Sequence, residues 1–218
     1  MRLRLSIAIA VIMFVPVCVS AQIGVLYTFE NQHAEASKVP SVILSQSCQN
    51  FLWAAEIEFL ARQQDVPLAQ GEIIDHAYGG MCVDGTTNLE KLKDAVDGDH
   101  VLPDGSHVKL EMQIVGGTQL SSDDLLSQLI AGHSFIITWR GHPYVAVSAL
   151  WDEYVYAPAL RVHRIRELKV LDLAKPPKKQ AVTLALDAEE TSQLGTSVQL
   201  VCTKLETNPW APAAPAKW

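Results

Sequence analysis

The chain lacks most of the short motifs that would announce a chemistry. No His-Glu-x-x-His or Cys-x-x-Cys spacing occurs and the seven histidines are scattered, so no metal site is expected. There is no phosphate-binding glycine loop and no Gly-x-Ser-x-Gly, and no cofactor is expected. Basic residues are scarce, 17 Lys and Arg against 24 Asp and Glu, and this acidic balance argues against nucleic acid as a partner. No apolar run after the N-terminus is long enough to span a membrane, and no internal repeat is visible. Cysteine is limited to four positions.

What is there begins with Met1-Arg2-Leu3-Arg4, an apolar run over residues 5 to 19, and Ser20-Ala21. Two arginines, a short apolar region and a small-residue exit describe an export signal, with the mature chain expected to start at Gln22. The run is too short for a spanning helix and Pro16 interrupts it. The protein is therefore expected to be exported, to the periplasm or beyond, with no stable membrane span after cleavage. Without Arg2 and Arg4, 15 basic residues face 24 acidic ones, a net charge of −9. The remaining positive charge gathers at Arg161, Arg164, Arg166, Lys169, Lys175, Lys178 and Lys179, read as a solvated basic face. Cys48, Cys82 and Cys202 survive cleavage, and export permits a disulfide between two of the three.

The 218 residues, 49% hydrophobic, suit one globular domain. Residues 22 to 45 read as mostly extended. From 51 to 64 the pattern turns helical, with Asn50 as N-cap and Trp53, Ile57, Leu60 and Ala61 on one face. Glu56, Glu58, Arg62 and Gln63 are expected to face water. A second helix is expected over 69 to 76. A third opens on the capping box Thr87-Asn88-Leu89-Glu90, and a fourth is capped from Ser121 to Asp124. Residues 100 to 105 carry turn chemistry. Alternation at Val108, Leu110, Met112 and Ile114 marks a half-buried strand. Apolar runs over 135 to 139 and 144 to 150 flank Arg140-Gly141-His142 and predict a hairpin. Further strands are expected over 160 to 164 and 168 to 173. Two edge strands are expected where Val182, Leu184 and Leu186, then Val198, Leu200 and Cys202, alternate. Helices first and an antiparallel sheet afterwards read as α+β. The domain is expected to fill residues 22 to 205, followed by a disordered Pro- and Ala-rich tail over 206 to 218.

One ordered set of residues carries a resemblance. Val39-Pro40, Gln46, Trp53-Ala54-Ala55 on a helix, Tyr78-Gly79-Gly80 with a nearby cysteine, Gly141-His142 opening an apolar strand, and Asp172 follow one another over residues 39 to 177. The set resembles the compact bacterial papain-like cysteine peptidases, the group that includes plant-pathogen effector proteases and bacteriocin-leader peptidases. The resemblance implies a papain-like fold, with N-terminal helices packed on an antiparallel sheet and residues 181 to 204 as an addition. It assigns Gln46 to the oxyanion hole, His142 to the base and Asp172 to the acid that orients it. Asp152 is the runner-up for the acid, because Leu173 stands where the family usually has Pro.

The resemblance puts the nucleophile at position 52, where this chain has Leu52. A leucine side chain has no lone pair and cannot attack a carbonyl. The nearest thiol, Cys48, lies four residues upstream, up to ~13 Å away if the loop is extended. Attack requires hydrogen-bond reach to the base. The family often ties this loop to a Gly-Gly loop downstream, which implies a Cys48–Cys82 disulfide and a contribution of ~3–4 kcal/mol. The leading expectation is an exported pseudopeptidase, hydrolase-like in fold, that binds a peptide or protein. The alternative is an active cysteine peptidase with Cys48 as nucleophile and His142 as base.

Overall fold

Helix α1 (Leu52–Gln63) is rich in strong helix formers, and ten of its 12 residues are buried. It is one element of a computed structural model that describes residues 24–37, 39–40, 52–79, 89–101, 105–115, 121–187 and 193–205. The expected signal peptide, Gln46, Cys48, the Asn50 cap, Cys82 with its expected bridge, the Thr87-Asn88 cap and the C-terminal tail lie outside the described residues.

The expected apolar face of α1 is buried as Trp53, Ile57, Leu60 and Ala61, but the expected wet face is not wet. Glu56, Glu58 and Gln63 are buried as well, and only Arg62 is exposed. Two of these have partners that explain their burial. Glu58 accepts from Arg62 Nε (2.7 Å) and from Gln70 Nε2 (2.8 Å). Gln63 donates to Ser134 Oγ (3.0 Å) and accepts from the Ser134 N–H (2.7 Å). The helix stops at Asp65, which adopts φ 63°, ahead of Val66-Pro67. Beside that stop, Gln64 clamps the chain to the sheet, donating to the Leu200 carbonyl (2.5 Å) and accepting from the Cys202 N–H (3.0 Å).

Helices α2 (Gln70–Tyr78) and α3 (Leu89–Val96) match the two expected after α1. Gly79 ends α2 in the left-handed region at φ 59°, where a Cβ would be strained. Helix α4 (Ser122–Ile130) starts from Ser121, whose hydroxyl accepts from the Asp124 N–H while the Asp124 carboxylate reaches back.

The strands are β1 (Tyr27–Glu35), β2 (Gly98–Val101), β3 (His107–Val115), β4 (Phe135–Trp139), β5 (His142–Ala157), β6 (Leu160–Leu171), β7 (Ala181–Ala185) and β8 (Leu194–Leu205). They form one sheet in the order β2-β3-β8-β4-β5-β6-β7, with β1 added along the later part of β5. Every pairing is antiparallel, so the α+β expectation holds.

Three strand expectations change. The segments 160–164 and 168–173 are one strand, β6, because Glu167 pairs with Leu150 of β5 and Ala185 of β7, and Arg166 is carried between Ile165 and Glu167 as a bulge. Residues 98–101, the last two of them expected in a turn over 100 to 105, pair with β3 as β2. Strand β7 is an edge as expected, but β8 lies inside the sheet between β3 and β4. The last strand therefore joins the two halves of the sheet and is not an addition to it.

Helices cover both faces. Helices α1, α2 and α3 share one core with Val108, Leu110, Met112, Ile136, Val145, Val198 and Leu200. Helix α4 shares a second core with Phe135, Ile137, Ala146, Leu168 and Val170 from the opposite face. Alternate residues of β4 and β5 thus enter different cores, which accounts for continuous apolar runs in place of alternation. Among the described residues, no helix is long and apolar enough to cross a membrane.

Candidate functional site

The turn between β4 and β5 consists of Arg140 (φ 51°) and Gly141 (φ 77°), with Trp139 and His142 paired on either side. Positive φ at both positions gives the two-residue turn whose twist matches a hairpin. The Arg140 guanidinium stacks over the Trp139 ring at 4.6 Å, so a non-glycine residue at that strained position has a contact holding it. The turn fixes His142 as the first residue of β5.

Asp172 follows β6 directly. Its N–H donates to the Gln180 carbonyl (2.8 Å), which pins the departing chain. Because β5 and β6 pair with Val145 opposite Leu171, the start of β5 and the end of β6 lie together. The sequence separates His142 from Asp172 by 30 positions, and the fold brings His142 Nε2 to 3.2 Å from Asp172 Oδ1. The Asp172 side chain is 4% exposed and that of His142 is 40% exposed, so the acid is inside and the base is open. Asp172 also accepts from the Ala174 N–H (3.1 Å) and pairs with Lys175 Nζ (3.0 Å). Burial pushes the Asp172 carboxyl upward. The hydrogen bonds from Lys175, His142 and the Ala174 N–H, with the His142 charge, outweigh it and leave the group below its ordinary range.

An ionised carboxylate at Nε2 keeps a proton on that nitrogen and the lone pair on Nδ1. Among the described residues no hydrogen bond reaches Nδ1. The ring is braced by Tyr144, whose ring centroid lies 4.6 Å away in an edge arrangement. Burial, then the charge of Asp172, raises the Tyr144 phenol against the opposing effect of Lys175, so it is a neutral neighbour at ordinary pH.

Removing the Asp172 carboxylate should have a pH-dependent effect. Asp172→Ala is expected to lower stability by about 1–3 kcal/mol at neutral pH, since it removes the charge-assisted hydrogen bonds made by Lys175, His142 and the Ala174 N–H. The folded-state pKa of Asp172 is depressed. Its contribution is therefore present above the unfolded value of about 4 and is lost as pH falls through the lower folded value. Denaturant midpoints should differ clearly at about pH 7 and converge at about pH 2, and a gap that persists in acid would contradict the ion-paired carboxylate.

Leu52 is the first residue of α1, half-buried and packed against the core of helices α1 to α3. Trp53, the next residue, and Glu56, one turn further on, line a cavity of about 230 Å³. Gly141 and Pro143, the two neighbours of His142, line the same cavity. The start of α1 and the His142 turn thus border one space.

Asp152, the runner-up acid, is not part of this site. It lies ten residues further along β5, roughly 30 Å by strand geometry. There its carboxylate accepts from the Asn31 N–H (3.0 Å) and faces Arg166 (3.7 Å), holding β1 and β6 to β5. Arg161 pairs with Glu153 (2.7 Å), so the basic run is partly neutralised within the sheet. His163 bonds Asp123 at 2.6 Å, as expected of a hydrogen-bonded strand histidine. Cys202 is unpaired and half-buried, and burial pushes its thiol up to about 12, which makes it a poor nucleophile. Gln46 and Cys48 lie outside the described residues, so the site here consists of His142, Asp172 and the start of α1.

Two residues of the site escape the sequence reading. Lys175 sits three positions after Asp172, a spacing common to any charged loop, and nothing marks it beforehand. Glu56 does carry a signal. It falls between Trp53 and Leu60 at helical spacing, inside the apolar stripe, where a charged residue is out of keeping. Burial, then the negative charge of Asp172, raises its carboxyl well above the usual range. Its Oε1 and the Trp53 Nε1 are buried with no hydrogen-bond partner among the described residues. A scan against protein-family models and a search of curated proteins both found no match to this chain.

Proposed function

We propose that the protein is an exported, papain-like pseudopeptidase that binds a peptide or protein partner. The observation that carries this reading is the His142–Asp172 pair beside a cavity shared with the start of α1, where the first helical residue is Leu52. A base with its orienting acid needs a proton donor on the other side of the ring. A thiol at the first position of α1 would be favoured as thiolate by the helix dipole. Leucine offers neither a proton nor a lone pair. The geometry supports a cleft whose base has lost its nucleophile, and such a cleft retains shape and hydrogen-bonding groups for binding.

The test is alkylation. In the wild-type mature chain, iodoacetamide or an epoxide probe should show no labelling that depends on His142. In Leu52→Cys, the new thiol should react at about pH 6 at least tenfold faster than free cysteine, as a thiolate stabilised by a helix terminus and an imidazole does. Adding His142→Ala should remove that excess, and a peptide bound in the cleft should protect the thiol. Stoichiometric, His142-dependent labelling of Cys48 in the wild type would make the protein an active peptidase and end this reading.

A further inference from the structure

The cavity beside His142 is walled by α1, α3, β3, β4, the turn before His142, the start of β5 and β8. Protein interiors are close-packed, and voids much larger than a water are few. This one measures about 230 Å³. An apolar cavity of about 150 Å³ holds a benzene molecule. The walls are mainly hydrocarbon, from Ile57, Leu92, Met112, Ile136 and Val198. Among the residues that line it, Glu56 is the one titratable group.

We propose that this cavity binds an organic primary ammonium on a short apolar chain, with Glu56 as its counter-ion and the Trp53 ring as an aromatic wall. The charges select this class of ligand. An anion would enter beside the Glu56 carboxyl, on which Asp172 already acts with its negative charge. Asp172 is in turn faced by Lys175 and His142, so its own charge is compensated, and among the described residues no cation pairs with Glu56. A neutral hydrocarbon would fill the space but leave Glu56 Oε1 without a partner. An ammonium supplies both a positive charge and N–H donors. An aromatic wall beside a carboxylate favours such a cation, and the hydrocarbon walls accept its apolar chain. Thr138 and Thr196 also line the space.

The proton balance follows. Where Glu56 is protonated, binding expels that proton to solvent and leaves a carboxylate–ammonium pair. Affinity should therefore tighten as pH rises. The site does not depend on the peptidase reading, because neither Leu52 nor the Nδ1 atom of His142 takes part.

The experiment is titration calorimetry on the mature full chain with n-butylammonium, n-butanol and butyrate. Two buffers of different ionisation enthalpy are used, so that proton release is read directly. Butylammonium should bind more tightly at about pH 8 than at about pH 5 and release a proton at the lower pH. Butanol should bind at least tenfold more weakly, and butyrate not at all. Glu56→Gln should lose at least tenfold in butylammonium affinity while keeping its circular dichroism spectrum. A blocked tripeptide with a central Lys, compared with its Ala counterpart, separates the two sources of the same chemistry. Binding of the Lys peptide alone assigns the site to a side chain of a partner, and binding of butylammonium alone assigns it to a free amine. If neither binds, if butanol matches butylammonium, or if no proton is released and affinity is flat with pH, the proposal is overturned. Should Glu56→Gln fail to fold, the proton count on the wild-type chain decides the matter alone.

Discussion

Phe59→Ala is expected to lower the free energy of unfolding by about 3–5 kcal/mol, the range for deleting a buried aromatic ring. For a domain of this size, that shifts the thermal midpoint down by roughly 6–20 °C. Phe59 is 1% exposed and lies in the middle of α1. A helix on the surface of a core can relax toward a cavity from its open side. Helix α1 has no open side there, since every residue from Trp53 to Ala61 is buried. Its C-terminal end is held, by Gln63 on Ser134 and by Gln64 on β8. The void left by the ring should therefore stay, and with it the cavity part of the loss. Ile130 is the matched control, an aliphatic residue on α4 that is exposed, and Ile130→Ala should move stability by less than about 0.5 kcal/mol. Urea titrations with unchanged slope would check both. A change below about 1 kcal/mol at Phe59 would mean that α1 can yield, contrary to its burial on all sides.

The same burial shows which parts of the fold could be read from the sequence. Period and punctuation determine where an element starts and stops, and α1 to α4, β3 and the β4–β5 hairpin follow those signals closely. What covers an element is decided elsewhere in the chain. Glu58 and Gln63 look solvent-facing by residue type, and the distant Gln70 and Ser134, with Arg62 beside Glu58, make their burial possible. The place of β8 is a matter of long-range pairing. Its alternation at Val198, Leu200 and Cys202 suits an edge or an interior position equally, and nothing local announces β3 on one side and β4 on the other. The site divides in the same way. His142 is marked by the Gly-His step after a tight turn, and Asp172 by its position at a strand end. That they meet depends on the β5–β6 register, which no spacing along the chain reveals.

Glu56→Gln should stabilise the protein at neutral and alkaline pH, by about 1.4 kcal/mol for each pH unit above the unfolded value until the folded value is reached. The sign follows from where the proton sits. Burial, with Asp172 adding to it, raises the folded-state pKa of Glu56 well above its unfolded value. Below the unfolded value of about 4.5 both states hold the proton, and the carboxyl and a glutamine amide are nearly equivalent. Above it the unfolded chain ionises while the folded chain does not, so wild-type stability falls as pH rises toward the folded value. Glutamine cannot ionise and does not show this loss. Thermal midpoints of the two proteins should therefore coincide at about pH 4 and separate in favour of the variant by about pH 8. Equal midpoints at both values would mean that Glu56 is not held neutral by its surroundings. A residue that lowers stability at working pH, in a helix otherwise well suited to its place, is the kind of local inconsistency that marks a functional position. Butylammonium gives that idea a direct comparison. If Glu56 is kept as the counter-ion of a cation, the amine should raise the wild-type midpoint at about pH 8 and close the gap, because a ligand that binds only the folded state stabilises it by mass action. The variant, with no carboxylate to offer, should not respond.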